Sequence, residues 1–356
     1  MESMLDIDEA WESFCNGSYD PSPIRKAPPV HALGAPRASD LYVSTKTKLS
    51  YLNSQIDLAS VFWGVDVVPY HQPRAGVIKK EMKFNCETAE ELERLQSKMP
   101  KDATVEEHVI THIENPEGRI KFKDVRKISV GICKKDLVSS RGKKKGAFYN
   151  CFVLIVRILY KGEFKEIHVK VFNTGKLKIP GIQDNAVLDA ALDQLVRAVR
   201  PICPEGDKLA ILEGKTETVL INSNFNCGYY INRSKLFEIP KTDKLMNCAY
   251  DPCSYPGIHS EFYYKVGAPS QDSRQPSADE AGKYEVLQLH FKVFRTGSVL
   301  ILGKCSEDVI CEIYDFLRVL LEEAYPRVGA VKNDEPADQK AEKKPRKTRR
   351  RLLVAV

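Results

Sequence analysis

A short segment occurs twice in this chain, 122 residues apart, and that repetition limits the possible folds more than any other feature. Val171–Gly181 reads VFNTGKLKIPG and Val293–Gly303 reads VFRTGSVLILG, with six of the eleven positions identical. Each copy has the pattern of an apolar strand, a Thr-Gly turn and a second strand that ends in glycine. The turn requires a positive φ, which favours Gly175 and Gly297. The pattern predicts two copies of one structural unit.

The same spacing continues into a helix after each hairpin. Asp184 and Ser306 lie 122 residues apart and are both suitable helix N-caps. The apolar residues that follow have helical spacing: Val187, Ala190, Ala191, Leu195 and Val199 in one copy, and Val309, Ile310, Ile313, Leu317 and Leu320 in the other. Each copy therefore ends in strand, turn, strand and amphipathic helix, which predicts an α+β fold.

The front halves of the two copies match less closely and place an insertion. Leu41–Leu49 and Val219–Cys227 both have the pattern of strands, and Arg74 aligns with Tyr255 at an offset of 181. Because this offset exceeds 122, the first copy (39–205) contains an insertion that the second (206–330) lacks. We predict that this charged insertion, at about 86–150, lies at the edge or outer side of the sheet. The polar segment 267–283 is predicted to be a flexible loop.

Both ends of the chain have the composition of disordered segments. Residues 1–38 are acidic and then proline-rich, and residues 331–356 include the strongly basic run Lys340–Arg351. The basic run fits a solubilising tail, a nuclear-import signal or an arm that binds phosphates, and the sequence leaves all three open.

Several classes of protein are disfavoured by composition and motifs. Hydrophobic residues make up 43% of the chain, yet no apolar run reaches the roughly 20 residues of a membrane span. The ten cysteines, Cys248 and Cys253 included, lack zinc-site spacing, so we expect reduced thiols and no metal. Neither a phosphate-binding loop nor a nucleophile elbow is present, and the basic run Arg141–Gly146 lacks the required spacing.

His108 and His112 are the strongest signal for an enzyme, and it is weak. They lie four residues apart, which would place both rings on one face of a helix, but the zinc-protease order is absent. We predict a surface helix there, and no enzymatic activity, no cofactor, no metal, no small-molecule substrate and no association with membrane.

Two segments of the second copy carry a resemblance to a known family. They are AYDPCSYPGI (Ala249–Ile258) and the hairpin and helix of His290–Leu317. Together with the first copy they resemble the TATA-box-binding proteins, and especially the TATA-binding-like proteins of large nucleocytoplasmic DNA viruses, over about residues 41–325. The resemblance implies a saddle in which two pseudo-repeats form one curved antiparallel sheet, with helices on its convex side. The concave side of such a saddle binds and bends the minor groove of DNA.

The resemblance also implies partners and a location. It implies a transcription initiation factor that binds A·T-rich double-stranded DNA and recruits a transcription factor IIB-like protein and RNA polymerase subunits. Such a protein would act inside the cell, in the host nucleus, a cytoplasmic viral factory or the virion. The alternative is a member of the same fold that has lost sequence-specific DNA binding and serves as a protein-interaction scaffold in the transcription machinery or virion.

Members of the family insert apolar side chains as wedges into DNA, and the resemblance aligns four residues of this chain with the wedge positions. Phe172 and Phe294 match the wedges before each hairpin turn, and Tyr255 matches the partner wedge of the second copy. Arg74 occupies the equivalent place in the first copy, where it cannot wedge and could lie in the groove as a cation. We therefore expect a sharper DNA kink at the end of the second copy. A phenylalanine in a strand is also commonly a core residue, so a buried role for each Phe stays open.

The remaining site residues follow from the same comparison. The resemblance places Val43, Ile221 and Leu300 on the groove face, and Lys176, Lys178 and Arg295 at phosphates. The asparagines and threonines with which the family reads bases align with apolar residues instead: Leu41, Val219, Pro180 and Leu302. Strict TATA preference is therefore not expected from these positions. Strands such as Val299–Gly303 are apolar on both faces, so a DNA-free molecule would expose one apolar face unless a further layer or a second copy covers it.

Overall fold

The computed structural model describes residues 34–100, 103–138, 149–204 and 206–330. The predicted basic tail, the Arg141–Gly146 run and most of the acidic lead-in lie outside these residues.

Twelve of the described strands form one sheet in which every pairing is antiparallel, and β9 and β14 form a separate pair. The strands are β1 (Tyr42–Tyr51), β2 (Gly76–Cys86), β3 (Val105–Glu114), β4 (Phe122–Gly131), β5 (Cys151–Tyr160), β6 (Glu163–Phe172), β7 (Lys176–Ile182), β8 (Glu217–Asn226), β9 (Tyr230–Ile231), β10 (Cys248–Ala249), β11 (Gly257–Lys265), β12 (Val286–Phe294), β13 (Ser298–Gly303) and β14 (Gly329–Ala330).

The sheet has two halves with the same strand order from the centre outward. The first half runs β1, β7, β6, β5, β2, and the second runs β8, β13, β12, β11, β10. The halves meet where β1 pairs with β8. Beyond β2 the first half continues into β4 and β3, so the inserted residues extend one edge of the sheet.

The longer helices begin at the residues predicted from the sequence. The helices are α1 (Leu58–Gly64), α2 (Ala89–Ser97), α3 (Lys134–Val138), α4 (Asn185–Val199), α5 (Arg233–Glu238), α6 (Ala278–Lys283) and α7 (Glu307–Val328). Asp184 caps α4 by accepting from the Ala186 amide, and Ser306 caps α7 by accepting from the Val309 amide. Gly175 and Gly297 both have a φ of 79°, which confirms the predicted turn glycines.

The two cores lie on the same side of the sheet, between the strands and the long helices. In the first half, β7 residues such as Leu177 pack with α4 residues such as Leu195. In the second half, β13 residues such as Ile301 pack with α7 residues such as Ile313. Because strand side chains alternate, the residues between these point to the opposite side. We call the two sides the helix face and the open face.

Part of the open face in the first half has a cover built from the same chain. Leu154 of β5 belongs to the core on the helix face, whereas its neighbour Ile155 packs with Val68, Ile78 and Cys133 on the opposite side. We call this cluster and the segments above it, residues 66–74 and α3, the cover. In the second half, Lys265 at the end of β11 is buried and pairs with Asp272 and with Glu280 of α6.

Two local predictions were wrong. Within 267–283, Ala278–Lys283 is helical rather than a flexible loop, because Ser277 and Glu280 form a reciprocal capping box. His108 and His112 lie on β3, not on a helix, since Val105–Glu114 pairs with β4 along its whole length. Among the described helices, none combines the length and apolarity needed to cross a membrane.

Candidate nucleic-acid interface

The middle of the open face mixes apolar, amide and cationic side chains. On β8 and β13 the buried residues alternate with partly exposed ones, and the latter include Leu220, Asn222, Asn224, Leu300 and Leu302. Leu300 lies opposite Asn224, and Leu302 opposite Asn222. Leu300 therefore lies on the open face, at the position predicted for it.

Asn222 and Asn224 are candidates for base contact that the family positions did not identify. The family's asparagines align with Leu41 and Val219, but the register places Asn222 opposite Thr45 and Asn224 opposite Tyr42, at the junction of the two halves. A carboxamide carries both donors and an acceptor, so it can bond to the acceptors that A·T pairs present in the minor groove. The alternation Ile-Asn-Ser-Asn along β8 was the signal in the sequence.

An aromatic pair lies where β12 ends. Phe294, the last residue of β12, pairs with Gly257, the first residue of β11. Tyr255 precedes Gly257 by two residues, is 39% exposed, and its ring centroid lies 6.0 Å from that of Phe294. The Lys292 ammonium lies 4.7 Å from the Tyr255 ring centroid. A partly exposed pair of rings therefore stands beside a cation at this end of the open face.

The matching end of the first half also carries two aromatic residues. Phe172, the last residue of β6, pairs with Cys151, the first residue of β5. Tyr149 precedes Cys151 by two residues, as Tyr255 precedes Gly257, and is 55% exposed. The Lys83 ammonium lies 3.8 Å from the Tyr149 ring centroid. Tyr149, not Arg74, therefore occupies the position equivalent to Tyr255.

The predicted equivalence of Arg74 to Tyr255 does not fit the strand pairing, because the alignment matched Arg74 to a strand on the wrong side of the insertion. The strand beside β6 is β5, which follows the insertion, whereas Arg74 precedes β2. Its backbone carbonyl accepts from Arg157, at the end of β5 remote from Cys151. Six residues of strand separate Cys151 from Arg157, about 20 Å, so Arg74 cannot act together with Phe172.

Two predicted groove residues face the wrong way. Ile221 is 2% exposed and packs in the second core beneath α7. Val43 packs against the same core and lies opposite the fully buried Ser223. Both predictions fail because the side chains of a strand alternate, and a register one residue different places each on the helix face. Their neighbours, among them Asn222, take the open face instead.

The predicted phosphate contacts divide between the two faces. Lys176 and Lys178 alternate with the buried Leu177 and Ile179, so both lie on the open face. Arg295 follows Phe294 and its guanidinium lies 5.9 Å from the Tyr230 ring centroid, toward the β9–β14 pair. The structure thus brings the two lysines to the open face and directs Arg295 away from them.

A pair of histidines lies further along the open face of the second half. His259 of β11 and His290 of β12 stack with ring centroids 5.1 Å apart and planes at 28°. Within the described residues, Nδ1 of His290 is buried without a hydrogen-bond partner. Burial, with His290 and Lys292 nearby, lowers the pKa of His259, while Glu261 opposes this. His259 is therefore biased toward its neutral form.

In the first half, the region that corresponds to this histidine pair lies under the cover, and polar contacts fix the cover to the strands. The guanidinium of Arg157, itself buried, donates to the backbone carbonyls of Tyr70, Gln72 and Arg74. The Lys79 ammonium lies 2.8 Å from the Asp136 carboxylate of α3. These contacts fix residues 66–74 and α3 over β2 and β5, so this part of the sheet is not free to meet a ligand in the present conformation.

Groups of three or more histidine, cysteine, aspartate or glutamate residues suited to a metal are absent from the described ranges. His108 lies opposite Lys127 and His112 opposite Asp124, on either side of an irregularity at Ile110. Lys127 and Asp124 lie an odd number of residues apart on β4, so the two imidazoles project to opposite faces of β3. They cannot act on one ligand together.

A curated relative supports the resemblance seen in the sequence. No family model matches the chain. A curated protein of Acanthamoeba polyphaga mimivirus, named TATA-box-binding protein-like, is 24% identical over 214 residues, which are 54% of this chain and 53% of that protein. The chain thus spans about half the length of this relative. A solved structure described as Methanococcus jannaschii TBP is 11% identical with a TM-score of 0.36, covering 80% of this chain and 99% of that one. The chain is similar to TATA-box-binding-like proteins, as its sequence predicted.

Proposed function

We propose that the two halves of the sheet are pseudo-repeats of one saddle, and that the chain is a transcription initiation factor that binds and bends double-stranded DNA through the minor groove. The observation that carries this proposal is that each end of the open face has a pair of aromatic residues, and that the two pairs match. Phe172 with Tyr149, and Phe294 with Tyr255, occupy the same strand register in both halves. Apolar rings at such ends can enter a base step and open it.

The rest of the open face suits the groove between two such wedges. Leu300 and Leu302 offer apolar contact, and Asn222 and Asn224 offer donors to the acceptors of A·T pairs. Lys176, on the same face, supplies positive charge for the flanking phosphates. The surface reads shape and A·T content.

The helix face is the proposed surface for protein partners. Its long helix α7 exposes Val319, 45% accessible, away from the core that Leu317 and Leu320 fill. We propose that a transcription factor IIB-like protein and RNA polymerase subunits bind on this side and at the β12–β13 turn, since DNA would occupy the other face.

Binding to duplex DNA at several salt concentrations tests the proposal. We expect A·T-rich duplexes to bind more tightly than random ones, with affinity that falls steeply as salt rises. Leu300→Glu should abolish binding because it places a carboxylate against the phosphate-lined groove. Val319→Glu is the matched control on the helix face and should bind as the unmodified protein does. Equal binding by both variants would show that the open face is not the DNA surface.

The alternative proposal, a scaffold of the same fold without sequence-specific DNA binding, is favoured by one observation. The cover occupies the open face at Ile155 in the first half, and it shortens the surface that a duplex could contact. Under this alternative, neither A·T-rich nor random duplexes bind, and Leu300→Glu leaves every interaction with proteins unchanged.

A further inference from the structure

The β3–β4 hairpin projects beyond the wedge at the first end of the sheet. Lys83 lies opposite Lys127 in the β2–β4 pairing, and Lys83 also contacts the ring of Tyr149. From Lys127 the strand β4 runs five residues back to Phe122, about 16 Å, and the turn of the hairpin lies beyond that. The hairpin turn is therefore at the same end of the sheet as Tyr149 and Phe172.

The tip of this hairpin has an exposed apolar residue between cations. Ile120 is 48% exposed, and Arg119 and Lys121 on either side of it are also exposed. Lys123 adds a further cation near the tip, while Glu114 and Glu117 are the acidic residues close by. An apolar side chain flanked by cations is suited to a groove of DNA, since the cations meet the phosphates and the apolar group meets the base or sugar edge.

The root of the hairpin is held by a buried charge network. Asp124, fully buried, lies 2.6 Å from Nε of Arg126 and 2.8 Å from Nδ1 of His112. Arg126 also reaches Glu107 of β3 at 2.5 Å. The Phe122 ring packs edge-on against His112, with centroids 5.8 Å apart. These contacts join β3 to β4 below the tip, so the tip is carried on a stiff base.

We infer that the β3–β4 hairpin is a second DNA-binding element, which contacts the duplex just outside the kink at Tyr149 and Phe172. The inference rests on the proposed function, because it places the DNA across the open face. In the strand order, β4 and β3 lie outside β5 and β2, so a duplex that leaves the sheet at this end passes the hairpin. The second half has no such extension, and the extra contact is therefore one-sided.

Two duplexes with the same A·T-rich centre test this inference by fluorescence anisotropy. One ends at the kinks, and the other continues for about one helical turn, 10 bp, at each end. We expect the unmodified protein to bind the longer duplex roughly tenfold more tightly, with a steeper dependence on salt. Arg119→Gln/Lys121→Gln should remove most of this gain and reduce the salt slope by about 1 to 2, while binding to the shorter duplex stays unchanged.

The control is Arg94→Gln/Lys98→Gln, which removes one exposed cation from α2 and one from the residue that follows it, on the helix face of the same extension. This variant should keep the full gain from the longer duplex. If Arg119→Gln/Lys121→Gln also keeps it, the hairpin does not bind DNA and the inference is wrong, although the proposed function stands. If the unmodified protein binds neither duplex, the proposed function and the inference fail together.

Discussion

The two halves of the sheet agree at the ends that carry Phe172 and Phe294 and differ in what lies beyond those ends. In both, the last residue of the strand before the hairpin turn is a phenylalanine, and a tyrosine stands two residues before the strand that pairs with it. Beyond this point the second half exposes the His259–His290 pair, whereas the first half is covered at Ile155 and extended by β4 and β3.

This comparison shows which features the two halves share. Equivalent positions 122 residues apart, such as His168 and His290, differ in their surroundings but not in their place along the strand. The aromatic ends keep both residue type and register, while the outer strands carry the changes. That is the distribution expected if the ends bind a common ligand and the first half has gained additional contacts.

The largest expected effect is a loss of stability when a core residue at equivalent positions of β5 and β11 is replaced. Phe152→Ala in the first half should lower the free energy of unfolding by about 3–5 kcal/mol, and Ile258→Ala at the equivalent place by about 2–5 kcal/mol. Both side chains are fully or almost fully buried on the helix face. Chemical denaturation measures both losses. A small loss in only one half would contradict the equivalence of β5 and β11.

The next largest effect is a loss of stability that should be confined to the first half. Asp124→Asn leaves Arg126 buried without its closest carboxylate, and breaking such a buried pair typically costs about 3 kcal/mol or more. Hydrogen exchange should show faster exchange in β3 and β4 and little change in β11 and β12. Asp193→Asn, in an exposed pair with Arg197 on α4, is the control and should change little.

Replacing the two tyrosines should affect DNA more than it affects the fold. Tyr149→Ala and Tyr255→Ala each remove an exposed ring, so we expect changes in stability below about 1 kcal/mol. Each should weaken DNA binding by a similar factor, measured by anisotropy. The sequence aligned Arg74 with a wedge position and therefore predicted a sharper DNA kink at the end of the second half than at the end of the first. A clear loss with Arg74→Gln and none with Tyr149→Ala would restore that first interpretation.

The smallest effect is a dependence of stability on pH from histidines in both halves. Burial, followed by Lys135 of the cover, lowers the pKa of His168, and burial with His290 lowers the pKa of His259. The folded protein therefore binds fewer protons than the unfolded chain just below the ordinary pKa of 6.5. Stability should be fully present above pH 6.5 and fall as the pH drops through the lowered values.

Thermal melts between neutral and mildly acidic pH check this prediction. His259→Gln and His168→Gln should each flatten the dependence, and His71→Gln, an exposed histidine, should leave it unchanged. Flattening by His168→Gln alone would show that the stacked pair in the second half has an ordinary affinity for protons.

The sequence predicted the parts of the structure that local rules determine. The turn glycines and the caps Asp184 and Ser306 follow from backbone geometry and hydrogen bonding over a few residues. The faces of Val43 and Ile221 depended on register, where a shift of one residue reverses every side chain. Tyr149 was missed because the insertion changes the offset between the halves, and only strand pairing shows that β5 corresponds to β11.

The bend of a bound duplex is the most direct test of the proposal that this chain binds and bends DNA through its open face. Donor and acceptor dyes at the ends of an A·T-rich duplex report its end-to-end distance by energy transfer. We expect a bend of about 80°, as in the TATA-box-binding proteins. It should decrease with Phe172→Ala and with Phe294→Ala, while the melting temperature of each variant stays nearly the same. A duplex that binds but stays straight, or a bend unchanged by both substitutions, would contradict the proposal.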